Sequence, residues 1–143
     1  MDISENEIRA IVEQIAARLT ASAGMQRTVD KSGVISVKTS TVRCEPFMQP
    51  GVYLKDVVSL EEAPRMGCGV MELDAGTSFA WKLDYDEYDF VISGTLEIEI
   101  DGRVITGGPG DIILIPKGSS IHFRSPDSVR YAYFVYPADW QNR

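Results

Sequence analysis

Transition-metal ligands are scarce in this chain. It holds one histidine, His122, and two cysteines, Cys44 and Cys68, which leaves little material for an imidazole- or thiolate-built centre. Two scattered cysteines also exclude a disulfide framework and lack the spacing of a zinc knuckle. Positive charge is short as well: 14 Lys and Arg stand against 21 Asp and Glu, for a formal net charge of -7. With no basic run to offset it, that balance argues against nucleic acid and membrane surfaces as partners. No stretch approaches the roughly 18–20 consecutive apolar residues of a membrane span. The start, MDISENEIRA, is acidic where a secretory signal needs a positive head and an apolar centre. The expected setting is therefore soluble, reducing and intracellular. What is present, 143 residues of which 44% are hydrophobic, suffices for one domain with a packed core.

The first segment has a helical period. Ile3, Ile8, Ile11, Val12, Ile15 and Leu19 make an aliphatic stripe, Ser4 and Glu7 fit a capping box, and Gly24 is a plausible stop. The stripe can pack on its own domain or a second subunit, or it can dock a separate partner as a helix in a groove. Small, polar residues without a period follow Ala21. These features divide the chain into a helix over 1–24, a linker over 25–32 and a main domain over 33–143.

Short strands and turns fill the main domain. Val34–Val37, Val52–Val58, Gly69–Leu73, Thr77–Leu83 and Val129–Tyr136 are strand candidates. Leu96, Ile98 and Ile100 alternate with Thr95, Glu97 and Glu99, and Asp101-Gly102 then reads as a two-residue hairpin turn into Arg103. Ile112 to Ile115 is apolar on both faces, which predicts a central strand. The fold class that follows is all-β, an antiparallel sandwich or barrel.

Two stretches, GTSFAWKLDYDEYDFVISG from Gly76 and GDIILIPKGSSIH from Gly110, resemble the paired motifs of the cupin superfamily of small β-barrels. Metal-binding cupins carry a His-x-His pair ending four residues before a glutamate, and another histidine three residues after the last glycine. Here those positions hold Trp81, Leu83 and Ile121, and Glu87 alone is kept. His122 stands one residue away, which on a strand turns it to the opposite face. The resemblance thus implies a cupin-type interior with no transition metal; carboxylates holding a hard cation such as Mg²⁺ stay open.

If Trp81, Leu83 and Glu87 point inward, Tyr85 and Asp89 share their phase. Tyr85, Glu87 and Asp89 become the candidate catalytic residues, because carboxyls clustered near aromatic walls acquire raised pKa values. Trp81, Leu83, Lys117 and Tyr133 are candidate ligand-binding residues. The plainer alternative has the acidic residues solvating a strand edge, Glu87 bonding a turn, and Lys117 exposed.

The runs WKLDYDE, IPKGSSI and YPADWQ carry a closer resemblance, to the EutQ family of ethanolamine utilisation proteins. That resemblance implies a place in a bacterial cytoplasmic microcompartment, acetate kinase-type phosphoryl transfer with ATP and Mg²⁺, and a cupin-like homodimer. It also likens the N-terminal helix to peptides that dock cargo on shells. The residues themselves offer no phosphate-binding glycine loop, and the cations Lys82, Lys117, Arg124 and Arg130 stand in no diagnostic spacing. A non-catalytic scaffold or small-molecule-binding module is the alternative.

Overall fold

A computed structural model describes residues 4–22 and 24–142, without the side chains of residues 14–22. The chain divides into two compact units, Met1–Arg43 and Cys44–Arg143.

In the first unit, helix α1 spans Glu5–Ser22. Its start is fixed reciprocally: the Ser4 N–H donates to Glu7 Oε2 at 2.8 Å, and the Glu7 N–H donates to Ser4 Oγ at 3.2 Å. Two amides that the helix leaves unpaired are thereby satisfied, as the capping box predicts. Of the stripe, Ile8, Ile11 and Val12 are half exposed. Ile3 and the side chains of Ile15 and Leu19 lie outside the described residues. Beyond the helix, β1 (Arg27–Val29) pairs with β2 (Ile35–Val37). The expected linker over 25–32 is corrected here, since β1 lies inside it. Three residues are too few to show an alternation, and the partner strand together with the Gly33 turn (φ 96°) defines the hairpin.

The second unit opens with β3 (Glu45–Pro46), β4 (Val52–Asp56), β5 (Gly67–Leu73) and β6 (Ser78–Lys82). It continues with β7 (Asp86–Gly94), β8 (Leu96–Ile100), β9 (Arg103–Gly107) and β10 (Ile112–Ile115). The last two strands are β11 (Ser120–Arg124) and β12 (Val129–Tyr136). They form two sheets, a six-stranded one in the order β10-β7-β12-β5-β4-β3 and a four-stranded one in the order β6-β11-β8-β9, with antiparallel pairing throughout.

Period-2 alternation fills the space between the sheets. Leu96 and Ile98 of β8 and Ile121 and Phe123 of β11 are buried with Val91 of β7 and Tyr131 of β12. The Phe123 and Tyr131 rings stack across the gap with centroids 6.1 Å apart. His122 is exposed while Ile121 is buried, as the one-residue phase requires. Asp101 (φ 50°) and Gly102 (φ 74°) make the two-residue turn joining β8 to β9, and Ile100 pairs with Arg103 across it.

One strand departs from expectation. β10 is an edge strand of the six-stranded sheet, not a central one, and Ile112 and Leu114 are 66% and 53% exposed. The run is apolar on both faces for another reason. Ile113 and Ile115 enter the core, while Ile112 and Leu114 pair with Phe90 and Tyr88 of β7 and extend an apolar outer face.

Candidate functional site

From Trp81 to Asp89 the chain runs out of β6, through a short connection, and along β7. Leu83, Tyr85, Glu87 and Asp89 are all buried, and Trp81 is partly buried on the same side. One extended segment therefore delivers an alternating set of side chains to the interior. Glu87 sits beside Ile115 and Val135 of the neighbouring strands, and Asp89 beside Ile113 and Tyr133.

The interior cavity of about 20 Å³ has room for a water-sized occupant. Trp81, Tyr85, Glu87, Tyr133 and Trp140 line it, with Phe47, Leu54, Met71, Phe79 and Phe123 completing the wall. Trp140 packs edge to face on Trp81 at 6.0 Å and on Tyr133 at 5.9 Å by ring centroid, and tilted against Tyr85 at 5.8 Å. Two of the wall's donors are already used. Trp81 Nε1–H donates to Tyr85 Oη at 2.7 Å, and the Tyr133 hydroxyl donates to Asp56 Oδ1 at 2.5 Å.

The carboxyls respond to this setting. Burial pushes Glu87 up to about 7, with Asp89 as its coupled neighbour. Burial first, and then the Glu87 charge, push Asp89 well above the ordinary carboxyl range. Both Asp89 oxygens are fully buried without a donor. A carboxyl and a carboxylate side by side in a dry space hold a shared proton, so the pair behaves as one titrating unit. Burial also raises the Tyr85, Tyr131 and Tyr133 phenols, which stay protonated.

An open cleft of about 270 Å³ adjoins the interior, with Phe47 and Leu54 lining both. Its polar rim is Glu45, Lys55, Asp56 and Gln141. Lys55 Nζ pairs with Glu45 Oε1 at 3.3 Å, and Gln141 Nε2 donates to Asp56 Oδ2 at 3.2 Å. Asp56 thus links the cleft to the interior wall through Tyr133.

Not every candidate converges. Leu83 is core, fully buried but not on the cavity wall. Lys117 is corrected: it occupies an exposed turn between β10 and β11, where its backbone N–H donates to Asp86 Oδ1 at 2.8 Å, and its side chain does not line the interior. The Pro116–Gly118 turn needs that anchor, and the lysine side chain is left to solvent. Lys55, Asp56, Phe47 and Trp140 were not singled out from sequence. Trp140 had a signal, as the second tryptophan within YPADWQ; Phe47 had none, since it sits in an irregular segment.

Among the described residues, no group of three or more His, Cys, Asp or Glu converges to hold a metal. Trp81 and Ile121, at two positions where histidines stand in metal-binding cupins, offer a carbon surface to the interior. Two antiparallel sheets around such an interior define a cupin. The cupin domain of an XRE family transcriptional regulator from Enterobacter cloacae shares this fold, with a TM-score of 0.54 and 21% identity over 60% of this chain and 96% of that one.

Within the cupins the chain belongs to the family described as ethanolamine utilisation protein EutQ, which it matches over residues 2–142. It is 43% identical to a Clostridioides difficile (strain 630) protein called Acetate kinase EutQ, over 100% of this chain and 99% of that protein. The solved structure of the Clostridium difficile EutQ protein matches with a TM-score of 0.80 and 46% identity, covering 84% of this chain and 92% of that one.

Proposed function

We propose that this EutQ-family cupin acts in ethanolamine utilisation as an acetate kinase, moving a phosphoryl group between ATP and acetate. The observation that carries this reading is full-length identity of 43% to a protein called Acetate kinase EutQ. Phosphoryl transfer requires cations around the transferred group and a carboxylate toward Mg²⁺. The outer cleft supplies Lys55 for the first, and Glu45 and Asp56 for the second. These carboxylates suit an Mg²⁺ ion carried in on the nucleotide phosphates, because the ion needs only one or two protein ligands there. Tyr85 and Glu87 line the interior cavity, with Asp89 beside Glu87, and the transfer does not use them.

One observation favours a second reading, a non-catalytic binding module: among the described residues, no Lys, Arg or His lines the interior cavity. Incubating the protein with ATP, Mg²⁺ and acetate separates the two. Kinase action predicts acetyl phosphate, with turnover falling roughly 10²–10³-fold in Lys55→Ala, the usual cost of removing one charge-stabilising donor. Lys117→Ala should match the wild type. Absence of acetyl phosphate from the wild type would remove the kinase reading.

Two partner surfaces complete the proposal. Tyr88, Phe90, Ile112, Leu114, Phe134 and Tyr136 expose a continuous apolar face on the six-stranded sheet, suited to pairing with a second copy. The α1 stripe suits docking on microcompartment shell or cargo proteins in the bacterial cytoplasm. A chain lacking residues 1–24 is expected to sediment still as a dimer but no longer to co-sediment with shells. Monomers at micromolar concentration would overturn the first assignment, and undiminished shell capture the second.

A further inference from the structure

The interior carries chemistry that phosphoryl transfer does not use. We propose that the cavity is a binding site for a small primary ammonium cation, seated between the aromatic wall and the Glu87 carboxylate, with Asp89 behind it. This goes beyond the kinase reading and does not depend on it.

The geometry selects a cation. The wall is built of aromatic rings, whose faces carry partial negative charge, and a single carboxyl, Glu87. Its tryptophan and tyrosine donors at Trp81 and Tyr133 are committed to Tyr85 and Asp56, so an anion would meet few free donors. An anion would also stand beside Glu87 in a dry space, where like charges are most costly. A cation meets the opposite arrangement.

Asp89 is the independent sign. Both Asp89 oxygens are fully buried and receive no N–H from the fold; the only group set against them is the Glu87 carboxyl that shares their proton, so no positive charge offsets the buried pair. It lies two residues from Glu87 on the same inward face of β7, so a positive charge beside Glu87 relieves both groups at once.

The class of cation follows from the remaining wall. Divalent metals require several oxygen ligands, and no group of three acidic, histidine or cysteine residues converges among the described residues. Aromatic faces can replace such ligands for an organic ammonium but not for Mg²⁺. The cavity of about 20 Å³ admits a head of ammonium size, about that of one water. An alkyl tail would extend past Phe47 and Leu54 into the open cleft.

Binding must displace the shared proton. The groups facing Glu87 are Tyr85 from the connection before β7, Asp89 from β7 itself and Tyr131 and Tyr133 from β12, with Asp56 of β4 reached through Tyr133. The phenols stay protonated, so the proton leaves from the carboxyl pair. Affinity should therefore rise with pH up to and through the neutral range.

The test is calorimetric titration of the full chain with methylammonium chloride, at constant ionic strength in amine-free buffers of differing ionisation heat. The expected result is saturable binding with Kd on the order of millimolar. About one proton should be released per cation, and affinity should rise up to about tenfold per pH unit below neutrality. Glu87→Gln should weaken binding at least about tenfold, and Trp81→Leu several-fold. Proton release is read on the wild type alone, so a misfolded variant does not decide the matter. Three results would overturn the proposal: no saturable heat, equal binding of sodium chloride, or magnesium chloride displacing methylammonium at lower concentration.

Discussion

Gly94→Ala is expected to destabilise the barrel by about 3 kcal/mol or more, and to leave much of the expressed protein insoluble. Two effects add. Gly94 has φ 79°, a conformation costing an L-residue about 1–2 kcal/mol. It also ends β7 where that strand presses against β12, and an added Cβ would overlap the Ser128 carbonyl oxygen and stand 2.9 Å from Val129 Cα. These are backbone atoms within a paired ladder and cannot swing aside. Gly102 is the control, because its φ of 74° is similar but a Cβ there meets nothing within 4 Å. Gly102→Ala should cost only about 1 kcal/mol. Urea midpoints measure both. Equal losses would show that strain alone, and not the close approach of two strands, governs Gly94.

A comparably large effect is expected from pH. Glu87 rises from 4.5 to about 7 on folding, and Asp89 rises well above 3.8. The folded chain therefore holds more protons than the unfolded chain above about pH 4. Its stability contribution from this pair is full below the unfolded values and is lost as pH rises through neutrality and beyond. A shift of the Glu87 size corresponds to about 3 kcal/mol. In sodium buffers free of amines, Tm should drop by about 5–10 °C between about pH 5 and pH 8. Glu87→Gln should flatten that decline by more than half. A level or rising Tm in the wild type would show that the pair carries no extra proton in the fold.

How far the sequence revealed this arrangement varies from element to element. The inward phase of Trp81, Tyr85, Glu87 and Asp89 was legible because the short connection between β6 and β7 leaves the period-2 alternation in step across both strands. The β8–β9 hairpin was legible from Asp101-Gly102, whose side chains tolerate the left-handed turn. β10 misled because an apolar residue facing outward looks the same in sequence as one facing a second layer. The outer cleft was invisible, since Lys55, Asp56 and Gln141 come from strands and segments far apart along the chain. β1 lay hidden for lack of length.

The pairing of copies proposed for the outer apolar face of the six-stranded sheet would have an electrostatic consequence. Each chain brings a net charge of -7, so pairing through that face concentrates negative charge while the contact itself is formed by uncharged rings and aliphatics. Counterions shield the repulsion without weakening the contact. Association of this kind tightens in brine and loosens in dilute buffer, the reverse of an interface held by opposite charges.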